Sequence, residues 1–209
     1  MNWISGRIAA CRTALARAAR LGALLTLSLL VTASTARAAD HYEVDPVHSS
    51  VTFRIGHAHI SLIHGRFNDY SGKFVLDKDD PSKSTFSMTI KIDTVDTNNK
   101  ARDTHLQAAD FFDVKQFPTM TFESTSVKAV PRGYVVSGDL TMHGVKQPLT
   151  FTLHGGDKVV EFPKGTNRVG FETEFSLKRS DFGMKTGLGD IGDQVFISIG
   201  VEAAAPQKK

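Results

Sequence analysis

Apolar and polar residues alternate with a period of two along most of the chain, the mark of half-buried antiparallel strands. Val51, Phe53 and Ile55 interleave with Ser50, Thr52 and Arg54, and Phe86, Met88, Ile90 and Ile92 interleave with Ser87, Thr89, Lys91 and Asp93. The alternation returns at Met120 and Phe122, at Val136, Gly138, Leu140 and Met142, and at Leu149, Phe151 and Leu153. Two late runs complete it: Val169, Phe171, Thr173, Phe175 and Leu177, then Val195, Ile197, Ile199 and Val201. Turn-forming clusters at Asp79-Asp80-Pro81, Pro131-Arg132-Gly133, Gly155-Gly156-Asp157 and Pro163-Lys164-Gly165 punctuate the runs. About eight strands with short connections and no βαβ rhythm predict an all-β domain, a meandering barrel or a sandwich.

Two segments depart from this pattern. Asn99 to Ala109 holds good helix formers and no β-branched run, and predicts one short helix capped by Asn98 or Asn99. Phe111, Phe112 and Phe117-Pro118 follow it, so the helix reads as a lid or plug at one end of the sheet, or as a plain cover. The other departure is the start of the chain. Arg7, Arg12, Arg17 and Arg20 lead into an apolar run from Leu21 to Val31, and Ala36-Arg37-Ala38 supplies small side chains, the order of a secretory signal peptide. The run falls short of the roughly 18 apolar residues of a membrane anchor. The expectation is a signal peptide over residues 1–38 cleaved after Ala38, export to the bacterial periplasm, and one domain over residues 39–209. The last residues, Ala203 to Lys209, read as a disordered tail.

Removing the leader changes the charge. The whole chain carries 25 basic and 22 acidic residues, net +3. Five of those bases are leader arginines, so the remainder has 20 against 22, net −2. A near-neutral body without a Lys/Arg run lacks the electrostatic footprint of a nucleic-acid binder. The single cysteine, Cys11, also belongs to the leader, so the body has no disulfide, thiol nucleophile or thiolate ligand. No G-x-S-x-G elbow and no glycine-rich phosphate loop occur, and neither an enzyme nor a cofactor is expected. A hydrolase built on His105 and Asp103 at a barrel mouth is the weaker alternative.

Several short motifs run in order along the body: Asp45-Pro46-x-His48-Ser49-x-Val51; Gly65-x-Phe67 before Gly72; Arg102-Asp103-x-His105-Leu106 leading to Asp110-Phe111-Phe112 and Phe117-Pro118; Gly138 to Gly144; and Arg179-Ser180-Asp181-Phe182-Gly183-Met184. Together they resemble the YceI family of lipid- or polyisoprenoid-binding proteins. The resemblance implies an extended antiparallel eight-stranded lipocalin-like β-barrel with one short helix. It also implies an apolar channel holding an isoprenoid or other long-chain amphiphile, capped near the helix.

The inward positions named as channel lining are Phe53, Ile55, Phe67, Met88, Ile90, Phe111, Phe112, Met120, Phe122, Leu140, Met142, Phe151, Phe175, Phe182 and Ile197. The methionines, joined by Met184, suit a wall that tolerates variable chain shapes, although the same residues would also fill a solid core. Arg102, Asp103 and His105 are the candidates for the mouth or the ligand head group. Arg102 suits a phosphate or carbonyl there, and equally an ion pair with Asp181 or Asp139. Arg179 to Gly183 reads as a strand end and turn, and His143-Gly144 as a hairpin tip. The competing chemistry is a metal or haem site on His57, His59 and His64, the first two sharing a face if the segment is a strand, with His48 nearby. Expected partners are a long-chain lipid, a membrane or membrane protein in transient contact, and a second copy of the chain through edge strands near the termini.

Overall fold

The computed structural model describes residues 39–206, and the leader expected over residues 1–38 lies outside them. The described chain is one antiparallel sheet that closes on itself. Its hydrogen-bonded segments are β1 (Asp40–Val44), β2 (Ser50–His57), β3 (Ser61–Phe67), β4 (Tyr70–Leu76), β5 (Thr85–Lys91), β6 (Val95–Asp96), β7 (Thr119–Val130), β8 (Gly133–Met142), β9 (Val145–Glu161), β10 (Thr166–Lys178) and β11 (Ile191–Pro206). These make eight staves, because β1 with β2, β3 with β4, and β5 with β6 are each one stave broken in the middle. Each stave pairs with the next in sequence, and the last returns to the first: β11 pairs with β2 over Ile191 to Gly200 and with β1 at Ala203 and Ala204. This is the eight-stranded meander expected from the alternation.

Side chains take the place of backbone partners at the breaks. Between β1 and β2 the chain makes a 3₁₀ turn at Pro46–His48, and Asp45 accepts from the Val47 N–H. Ser49 bridges the seam to β11: its hydroxyl donates to the Asp45 carbonyl at 2.7 Å and accepts the Glu202 N–H at 3.0 Å. Arg168 of β10 donates from one nitrogen to both Asp45 and Glu202. At the other broken staves, Thr94 Oγ1 accepts the N–H groups of Asn68 and Asp69, both at 3.1 Å.

The barrel has a filled end and a hollow end. The start of β1, the end of β11 and the connections at 77–84, 131–132 and 162–165 lie at the filled end. There Phe74, Phe86 and Phe171 meet edge to face or tilted, with ring centroids 5.2 to 5.7 Å apart, over buried Tyr42, Leu76, Val136 and Val169. Such a cluster adds specific ring geometry to a large apolar burial.

Four expectations are corrected. Gly155-Gly156-Asp157 is not a turn: β9 runs through it as a bulge against β10, with φ of +106° and +81° at the two glycines. A β-carbon on Gly156 would fall inside the Phe171 ring, so the bulge makes room for the aromatic plug. Ala203 to Pro206 is strand rather than tail, since small Ala203 and Ala205 fit beside the plug and are buried. Consequently the terminal strands pair with each other, and the edges expected there for a second copy are closed. The helix α1 is shorter than expected, Lys100–Leu106, with Asn99 as its cap through the Arg102 N–H at 3.0 Å.

The seam makes a pH prediction. The Arg168 guanidinium, then His48, hold the Asp45 carboxyl far below the usual carboxylate range. A carboxyl depressed in the folded state stabilises the protein above its unfolded value, and that contribution fades as pH falls toward the folded one. Asp45→Asn should therefore lower the urea midpoint at pH 7, and the gap to the parent should narrow steadily below about pH 4.

Candidate functional site

In the hollow half, the inward residues do not meet at the axis. They enclose a cavity of about 420 Å³, within the roughly 300–1,000 Å³ of ligand pockets. Its floor is the aromatic plug, at Phe74 and Phe86. Its walls are the alternating faces of the staves, and the contrast between the ends is direct. Val136, Val169 and Phe171 are buried, whereas Phe53, Ile55, Met88, Ile90, Phe122, Phe151, Phe175 and Ile197 stay partly accessible although strands flank them on both sides. That accessibility comes from the hollow.

Two glycines shape the wall. Gly65 faces Phe53 across β2 and β3, and Gly138 lies beside Phe122 of β7; a β-carbon would come 2.3 Å from Phe53 Cζ at the first, and 2.6 Å from Phe122 Cζ and 2.3 Å from the Glu123 carbonyl at the second. The rings therefore lie flat along the wall. Phe122, Phe151 and Phe175 continue side by side, with centroids 5.2 and 5.4 Å apart.

Every channel residue named from the sequence borders this cavity except Phe182. Phe182 ends the 3₁₀ turn Arg179–Phe182 and is buried in the core beneath the rim, because that turn breaks the period of two after Lys178. Leu177, Val195 and Ile199 also line the wall, and they continue alternations already visible in the sequence. Arg179 had the same signal, two residues beyond Leu177 on the inward face, but was read only as part of a turn. Thr97 had none.

The mouth is framed by the β2–β3 hairpin, α1 and the segment before β11. Arg102 and His105 of α1 border the cavity, and Asp103 does not. Arg102 donates from Nε to Thr97 Oγ1 and from one amino group to the Thr97 carbonyl, both at 2.7 Å. It makes no ion pair among the described residues; Asp139 pairs instead with Lys146 at 3.3 Å. Its second amino group makes no hydrogen bond among the described residues. Asp103 is held by the Thr97 N–H at 2.9 Å and by the Thr97 hydroxyl. His105 pairs with Asp110 at 2.7 Å and stacks edge-on to Phe111. The His105–Asp103 pair of the hydrolase alternative is thus not formed.

Arg179 is the deepest polar feature of the rim, 4% exposed. It donates to the carbonyls of Gly192, Met184, Thr186 and Ile191 at 2.8 to 3.1 Å. Burial lowers its pKa from the usual arginine value, with Asp193 acting against the shift. Burial works upward on Asp193 too, but the N–H and hydroxyl of Ser180 outweigh it and leave that carboxyl lowered. One side chain thereby ties the 183–192 segment to the end of β10.

The histidine cluster does not assemble. His57 ends β2, and Ala58 and His59 take left-handed φ of 49° and 57° in the hairpin turn, so the expected strand period is lost. Among the described residues, the set of metal-capable groups whose ligand atoms converge is Asp45, His48 and Glu202. There the Arg168 guanidinium already bridges the two carboxylates.

Comparison with known proteins places this architecture. The model of the YceI-like domain matches residues 42–203. The UPF0312 protein of Pseudomonas aeruginosa is 42% identical over 187 residues, 87% of this chain and 95% of its own. Protein YceI of Escherichia coli is 40% identical over 180 residues, 84% and 92%. Among solved structures, a polyisoprenoid binding domain from Saccharophagus degradans superposes with a TM-score of 0.59 at 18% identity, covering 79% of this chain and 98% of that one, a likeness of fold.

The rim makes a second prediction. Arg179→Met would leave several buried carbonyls unpaired, at about 1–3 kcal/mol each. A loss of at least about 3 kcal/mol is expected in urea unfolding, with faster amide exchange at Met184 to Ile191 than at the plug.

Proposed function

The chain belongs to the YceI-like domain family, and from that membership and its hollow barrel we propose that it is an exported carrier that sheathes the tail of a long-chain amphiphile, a polyisoprenoid foremost. The observation that carries this reading is the accessible apolar wall: aromatic, methionine and branched side chains face an interior that they do not fill. The neighbour from Saccharophagus degradans is a polyisoprenoid binding domain, which supports the ligand class. The leader composition supports export to the periplasm.

The physics suits a carrier. Each CH₂ taken from water contributes about 0.8 kcal/mol, so a prenyl chain has almost no free aqueous population. Drug-sized ligands retain only about 0.3 kcal/mol per heavy atom after ordering costs, roughly 6 kcal/mol for a chain of about twenty carbons, which corresponds to binding in the tens of micromolar. Phe122, Phe151 and Phe175 line the cavity side by side, a surface along which a slender tail can pack. Met88, Met120, Met142 and Met184 add a polarizable wall that adapts to the tail's bends. Arg102, which borders the cavity, makes no ion pair among the described residues, and it is the candidate to meet a phosphate or carbonyl head. Binding rather than catalysis fits a site whose histidine and carboxylates are engaged in local contacts.

Organic extraction of the protein purified from its own source, followed by mass spectrometry, should yield a long-chain lipid near one equivalent. Recovery without lipid, together with no uptake of an added prenyl phosphate, would overturn the reading. Arg102→Gln should weaken a prenyl phosphate by about tenfold or more, the range of a charge-assisted hydrogen bond, and leave an uncharged prenyl alcohol within a few-fold. Phe151→Ala, checked by circular dichroism, should change the affinity for both ligands.

A further inference from the structure

The apolar surface of the cavity continues past its mouth. Ile55, Gly56, His57 and Ile63 at the root of the β2–β3 hairpin border the cavity, as do Met184 and Ile191 on either side of the neighbouring loop. Beyond these roots, Ile60 is 87% exposed, Leu62 50% and Leu188 41%. The two tips are tied together. The Ala58 N–H donates to the Asp190 carbonyl at 2.6 Å, His57 pairs with Ile191, and a β-carbon on Gly192 would come within 3.2 Å of the Gly56 nitrogen. Scattered singly, exposed apolar side chains are ordinary; grouped on the rim of an apolar hole, they form an interaction surface.

The side chains of this lip are mostly basic, with Arg66 paired to Asp96 at 3.3 Å. From Arg54 to Arg66 the hairpin carries two arginines and three histidines and no acid. Lys185 lies in the adjoining loop, whose single acid is Asp190. Arg54 makes no ion pair among the described residues and rests over the Phe196 ring.

We infer that this lip docks the barrel mouth onto an anionic lipid bilayer, an inference that rests on the lipid-carrying reading of the cavity. Ile60, Leu62 and Leu188 enter the interface while the hairpin cations sit over the lipid phosphates. Docking is shallow. The outer edge of β3 is unpaired from Ser61 to Gly65, since β6 reaches only Arg66 and Phe67, and unpaired backbone groups do not enter hydrocarbon.

The test uses the chain from Ala39, whose barrel closes with its own two terminal strands. It should co-sediment with vesicles of phosphatidylethanolamine and phosphatidylglycerol and far less with phosphatidylcholine. Ile60→Glu combined with Leu62→Glu should weaken that partition by about tenfold or more. Val160→Glu, an exposed apolar site at the filled end, should leave it unchanged. Equal partition of parent and lip variant, no partition at all, or a dimer dissolved by the lip variant would each overturn the inference. Uptake of a fluorescent prenyl phosphate from vesicle-free solution is measured on the same proteins and should survive the lip substitutions. Its absence in the parent would refute the carrier reading instead, whatever the vesicles report.

Discussion

Closure of the sheet is the constraint on which everything else depends. A hollow half-barrel has no core contacts across its axis to hold opposite walls apart. Its shape therefore comes from the hydrogen-bonded ring and from the plug beneath it. As at β3 and β6, that ring narrows to two residue pairs at the seam where β1 meets β11. The sequence around Asp45 reinforces it: Ser49 supplies a donor and an acceptor in place of backbone groups, and Arg168 joins the carboxylates of two staves. A backbone group without a partner at the seam would reopen an edge and, with it, the barrel.

Filling one end makes the other end hollow. All eight staves run the length of the barrel, so its circumference is set once for both halves. At the filled end that circumference is occupied by phenylalanine and tyrosine rings, accommodated by Gly156, Ala203 and Ala205. Toward the mouth, Gly65 and Gly138 let the rings lie against the wall instead of crossing the axis. The same residue types thus form a plug or a lining according to what faces them. A cavity of this kind forfeits packing contacts, and a bound chain restores them, stabilising the folded barrel by mass action.

The period of two made the inward faces legible, and with them nearly the whole cavity wall, because each strand obeys its own alternation independently of its neighbours. It did not show whether those faces meet or stand apart. That depends on strand count and on which small residue faces which ring, a relation between distant positions such as Phe53 and Gly65. The misread segments share a cause: local composition was overridden by tertiary pairing. Gly155-Gly156 has turn chemistry but sits between two strands that need a bulge, and the Ala203 to Pro206 end looks disordered until β1 and β10 flank it. Phe182 and His59 failed for the converse reason, since a turn interrupted the period on which their placement was argued.

The mouth divides its two inward cations between different tasks, and the division follows from their donors. Arg179 is tied to four carbonyls, so its charge is internal to the rim and its role is to hold the segment that Ile191 joins to the hairpin. Arg102 is anchored through a single residue, Thr97, which Asp103 in turn orients. An arginine held on one side only keeps part of its fork for a visitor. A rim fixed by the first and a head-group donor presented by the second would let the tail choose its path by shape while the head is selected by charge. The Thr97 contact matters for this, because a guanidinium free on both sides would swing into solvent and lose the geometry that makes a two-point hydrogen bond selective.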